Sequence, residues 1–107
     1  MISDDEVQRA LDYLRNEAER DAQARANSEY LREWVKCERA RLISARNHMS
    51  VAAATAEAEA DPEYLRALGA WRAAVEEDYR RRFLRAAAET KLDCWRTMCS
   101  NERAARI

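Results

Sequence analysis

A single glycine, Gly69, and a single proline, Pro62, are the only strong helix breakers in this chain of 107 residues. Glycine weakens a helix and proline ends one, so a chain this poor in both has little with which to build turns or sheet edges. The rest favours helix: Ala, Glu, Lys, Leu and Arg make up 62 of the 107 residues, a share that belongs to long helices and coiled coils. Leu, Ile, Val and Phe total only 16. Such a thin apolar share points to disorder only when the net charge is high, and here it is −1. The composition therefore predicts folded helices meeting along a narrow seam.

Local signals place the ends. Ser3-Asp4-Asp5-Glu6 forms a capping box with extra acids on the first turn. Val7, Leu11, Leu14 and Ala18 follow at helical spacing, as do Tyr30/Leu31, Trp34/Val35 and Leu42. Only alanines are apolar between Asn16 and Ser28, which allows a bend there. Asp61-Pro62-Glu63 restarts a helix, with Asp as cap and Pro at the first helical position. The second helix carries Leu65, Leu68, Trp71, Val75, Tyr79, Phe83, Leu92 and Trp95.

The reading is all-α: two long helices, about 4–48 and 62–104, joined by a connection over 49–61. Charge favours folding them back on each other. Residues 1–21 are net −4 and 79–107 net +5, while 22–50 are net +3 and 51–78 net −5, so an antiparallel hairpin sets opposite charges side by side. Tyr30, Trp34, Trp71, Tyr79, Phe83 and Trp95 exceed what one hairpin can bury. A homodimer forming a four-helix bundle is the expected remedy, and a third helical segment from the connection, capping the bundle, is its rival.

Chemistry-bearing motifs are few. Cys94 and Cys99 point about 140° apart on a helix, which suits neither chelation nor a disulfide. Cys37 and His48 complete no zinc set. The stretch KLDCWRTMCSNERA therefore reads as one end of a packed helix, with Leu92, Trp95, Met98 and Cys99 near one face. One histidine, no glycine-rich phosphate loop and no HExxH motif predict a protein that is not an enzyme and has no metal or other cofactor. No apolar run approaches the ~18 residues of a membrane span, and MISDDEVQRA has no apolar signal core. A cytoplasmic protein with free thiols is expected.

Arg80-Arg81-Arg82-Phe83-Leu84-Arg85 resembles a nucleic-acid patch with an interleaved aromatic. Glu76, Glu77 and Asp78 stand four residues before Arg80, Arg81 and Arg82, so a self-paired helix face is the plainer reading. Arg85, Lys91 and Arg96 have no acid four residues before them, which makes them better contact candidates. The candidate surface for a protein partner or for phosphates is Tyr79, Arg81, Arg82, Phe83, Arg85, Lys91, Trp95, Arg96 and Arg103, with Tyr79, Phe83 and Trp95 as apolar anchors.

Asp61-Pro62-Glu63-Tyr64-Leu65, Ala73-Ala74-Val75-Glu76, Ala86-Ala87-Ala88-Glu89 and Trp95-Arg96-Thr97 with Asn101, Arg103 and Ala104 resemble a pattern in small uncharacterised proteins of temperate bacteriophages and prophages. Ala10-Leu11-Asp12-Tyr13-Leu14-Arg15 and Gln23-Ala24-Arg25-Ala26-Asn27 are similar too. The chain departs from the pattern at Asp61, where histidine is usual, and at Cys94 and Cys99. The resemblance implies a phage-encoded accessory protein that binds a partner in DNA recombination or replication, and it transfers no catalytic residue. Weak direct binding of DNA and inhibition of a host defence protein are the alternatives.

Overall fold

The computed structural model describes residues 2–106. All of the regular structure among them is helical. It comprises α1 (Asp4–Asn16), α2 (Ala18–Ser44), α3 (Val51–Ala60) and α4 (Pro62–Ala105). The expected second helix matches α4 within a residue at its C-terminal end. The expected first helix, 4–48, is instead two: it breaks at Glu17 and ends at Ser44. Glu17 departs from ideal α values at φ −102°, ψ −1°, though it stays in the right-handed region, its N–H donates to the Tyr13 carbonyl and its own carbonyl accepts from the Asp21 N–H. The connection also holds a helix, α3. Ser50 caps it by accepting from the Ala53 N–H, a cap overlooked because the segment that follows has no periodic apolar pattern.

The caps read from sequence are present at the other starts. The Ser3 side chain accepts from the Glu6 N–H at 3.2 Å. The Asp61 carboxylate accepts from the Glu63 N–H at 2.8 Å. At the end of α2, the Arg46 guanidinium donates to the Leu42 carbonyl at 2.8 Å and to Asp61 at 2.9 Å, which satisfies an orphan carbonyl and fixes the chain's turn.

The less exposed residues follow alternating steps of three and four. Along α1 and α2 the first set is Val7, Leu14, Asp21, Ser28, Val35 and Leu42. The second is Ala10, Glu17, Ala24, Leu31 and Glu38, and every member of both is buried or half-buried. The seven-residue period runs unbroken across the interruption at Glu17. Along α4 the sets are Trp71, Asp78, Arg85, Leu92, Cys99 and Ala67, Ala74, Arg81, Ala88, Trp95, of which only Arg85 is exposed. A seven-residue repeat of this kind places one continuous stripe of a helix against a neighbour.

The chain divides into two compact units, Met1–Ala22 with Tyr79–Ile107, and Gln23–Asp78. In the first, Val7, Ala10, Ala88 and Leu92 form a core cluster against which Ile2, Tyr13, Leu14 and Trp95 pack. In the second, the buried apolar residues are Val35, Leu42, Ala54, Ala58, Ala67 and Ala74. Ala58 is 0% exposed, so α3 meets its neighbours through a methyl-sized contact. Gly69 lies inside α4 with open space where a Cβ would stand, so packing does not require a glycine there.

Candidate functional site

The expected partner surface separates into a packed face and an outward face. On the packed face, the Arg81 guanidinium reaches Glu17 and Asp21, each at 3.3 Å. Arg85 reaches the other oxygen of Asp21 at 3.5 Å. Asp21 is 8% exposed and the Arg81 side chain 17%, so this cluster lies within the seam. The self-paired reading places Arg81 on a solvated face, whereas its side chain is largely buried, and Arg85, with no acid four residues before it, finds one in Asp21, distant in sequence. Arg96 likewise has Asp93 at 3.4 Å, three residues back rather than four. Glu76 takes Arg72 at 3.3 Å.

Trp95 is half-buried against the Val7–Leu92 cluster, and Cys99 is half-buried while Cys94 is exposed. The stretch from Lys91 thus packs along the face that its spacing indicates. All three cysteines are free thiols. His48 is exposed in the turn after α2.

The outward face carries Tyr79, 52% exposed, and Phe83, 73% exposed. They stand one turn apart, and position 83 lies about half a turn round the helix from the buried stripe. The Arg82 guanidinium sits 5.6 Å from the centre of the Tyr79 ring, within cation–π range. The face continues through the exposed Ala87 to Lys91, with Leu84 beside it. Arg103 is exposed near the end of α4.

Where α1 meets α4, an open groove of about 270 Å³ is lined by Ala10, Leu84, Ala87 and Ala88, with Arg9, Tyr13 and Lys91 around them. Sequence reasoning missed Arg9 and Tyr13, because nothing local marks two residues of a helical run as neighbours of residues some 75 positions on. The Tyr13 hydroxyl is shielded from solvent and has no hydrogen-bond partner among the described residues. Desolvation and the nearby Asp21 charge hold its pKa above the ordinary tyrosine value. In the Gln23–Asp78 unit a second groove, of about 320 Å³, runs past Leu31, Trp34, Ala67 and Ala70. Its acids Glu38 and Glu63 both bind Arg41, which raises the pKa of that guanidinium.

Among the described residues no group of three or more His, Cys, Asp and Glu side chains is placed to hold a metal ion. Nor is any helix long and apolar enough to cross a membrane. No protein-family model, curated protein or solved structure matches the chain.

Proposed function

We propose that this chain is a non-enzymatic helical interaction protein that binds a protein partner through the outward face of α4. The single observation behind this reading is the exposure of Tyr79 and Phe83, one turn apart, on the side of α4 opposite its buried stripe. Two large aromatics held in water on a rigid helix are costly unless something covers them, and aromatic anchors carry much of the energy of protein interfaces. An amphipathic surface of this kind suits helix-on-helix or helix-in-groove docking.

The finer architecture belongs to the same proposal. Val7 and Ala10 share a cluster with Ala88 and Leu92, while Glu17 and Asp21, further along the chain, meet Arg81 and Arg85, which precede Ala88. Lower numbers on one side thus go with higher numbers on the other. With the seven-residue periods of both stripes, this supports an antiparallel coiled-coil hairpin, able to dimerise into a four-helix bundle. The resemblance to phage proteins supports placing it in a bacterial host cell, with a partner from phage recombination or replication. Direct DNA binding is the weaker reading, because Arg81, Arg85 and Arg96 of the expected phosphate surface face carboxylates.

Two experiments test the proposal. Labelled single- and double-stranded oligonucleotides, titrated at low and moderate salt, should give flat anisotropy traces. Saturable binding that weakens steeply with salt would replace the proposal with direct nucleic-acid binding. The tagged chain should recover its partner from phage-infected host extract, and Phe83→Asp should abolish that recovery. A host defence protein as the recovered species would shift the reading to inhibition.

A further inference from the structure

The cations of this chain are mostly committed to acids of the same chain, and Arg9 and Lys91 are exceptions. Neither has an ion pair among the described residues. Arg9 belongs to α1 and Lys91 to α4, yet both line the same groove, whose walls contain no carboxylate. Between them the floor is apolar, built from Ala10, Leu84, Ala87 and Ala88. Tyr13 completes the lining, with its hydroxyl shielded from solvent. Arg9 and Lys91 are the groove's two charged donors.

We infer that this groove is the docking site for an acidic amphipathic helix of a protein partner. A carboxylate of that helix would accept from Arg9 and Lys91, and an apolar side chain one turn away would lie on the alanine floor and against Leu84. The inference rests on the proposal that α4 binds a protein, and it adds α1 to the surface and an anionic character to the partner. Shape favours a peptide over a cofactor. At about 270 Å³ the groove lies at the lower edge of the ~300–1,000 Å³ usual for small-molecule sites and is open along its length, a shape that suits side chains laid along it. Charge favours a peptide over nucleic acid. A phosphate backbone needs a ladder of available cations, whereas Arg81, Arg85 and Arg96 already have acids beside them. The groove is also continuous with Phe83 through Ala87, one turn along α4, so a bound helix would cover the exposed aromatic face as well.

The probe is a fluorescein-labelled amphipathic helix of Leu, Ala and Glu, about four turns long, set against a counterpart in which Lys replaces Glu. The full chain should bind the acidic peptide saturably and the basic one at least about tenfold more weakly. Reversing both cations, with Arg9→Glu and Lys91→Glu, should invert that preference. Both positions are exposed, so circular dichroism and the thermal midpoint should stay close to those of the parent chain. The groove is refuted if the parent binds both peptides equally, or if the reversed variant still prefers the acidic one. Phe83→Asp separates the two proposals. If that change removes peptide binding while charge reversal does not, the outward face stands and the groove falls. If neither change matters, both fall. Sedimentation equilibrium closes off a second copy: a dimer that the double reversal dissociates would give the groove to another copy of this chain and overturn the acidic partner.

Discussion

The two units use the same seven-residue period and fill it with different chemistry. In the unit that joins α1 to the distal part of α4, the stripe passes from Val7, Ala10, Ala88 and Leu92 into Glu17, Asp21, Arg81 and Arg85. In the Gln23–Asp78 unit, the buried residues are Val, Leu and Ala apart from Asp78 at its boundary; Arg39–Glu59 and Arg41–Glu63 lie at the surface, and the half-buried Arg46–Asp61 pair sits at the turn rather than along the stripe. Where charge lies inside the stripe, its value depends on every partner being present. Where it lies outside, each pair contributes little. Spacing alone thus decides which residues face inward, while their chemistry decides how sensitive that contact is to a single change.

The largest effect should come from Leu92→Ala, which removes the bulkiest aliphatic side chain of the terminal cluster. A loss of about 3 kcal/mol is expected in urea unfolding followed by circular dichroism, and a loss below about 1 would mean that the cluster does not hold its unit together. Next, Arg81→Met leaves Asp21 with Arg85 alone and should cost about 2 kcal/mol, the usual cost of breaking a buried pair discounted for partial exposure. Arg41→Met, at a surface pair, should leave the unfolding midpoint nearly unchanged. Equal losses from these two would erase the contrast between the units. Gly69→Ala should stabilise the chain by about 0.7 kcal/mol, because the added methyl meets open space and an alanine favours helix; destabilisation would show that α4 is contacted there.

The smallest effect is on pH. The Glu63 N–H and Arg46 hold the Asp61 carboxyl below its ordinary value. A depressed folded-state pKa contributes stability above the unfolded value, near 3.9, and that contribution is lost as pH falls further. The Glu63 amide resonance, which reports the cap, should therefore keep its position through mild acid and shift only below that value. A shift centred above it would remove the assigned cause.

The caps at Ser3 and Asp61 were legible because each is a local signal, with Pro62 marking the start of α4, whereas Ser50 was not, because no apolar pattern follows it. The stripe was not. Its members include Ala24, Ser28, Glu38, Asp78 and Arg81, which no apolar pattern selects. Tyr79 and Phe83 are apolar residues at helical spacing that also read as partner anchors, and spacing alone does not say which side of α4 they take; both are exposed. Long-range pairs such as Arg81–Asp21 depend on register, and register was not recoverable from a sequence whose seam is mostly small or charged. The break at Glu17 falls at the edge of the alanine-only stretch where a bend was allowed, yet nothing local fixes its position.

The cluster of Arg81, Arg85, Glu17 and Asp21 also has a thermal consequence. The hydration lost by buried charges becomes less favourable as temperature rises, so confining them costs less in the heat, while the benefit of each apolar contact levels off. The charged part of the stripe should therefore supply a growing share of its unit's cohesion on warming, and Arg81→Met should be felt more keenly near the melting transition than in the cold.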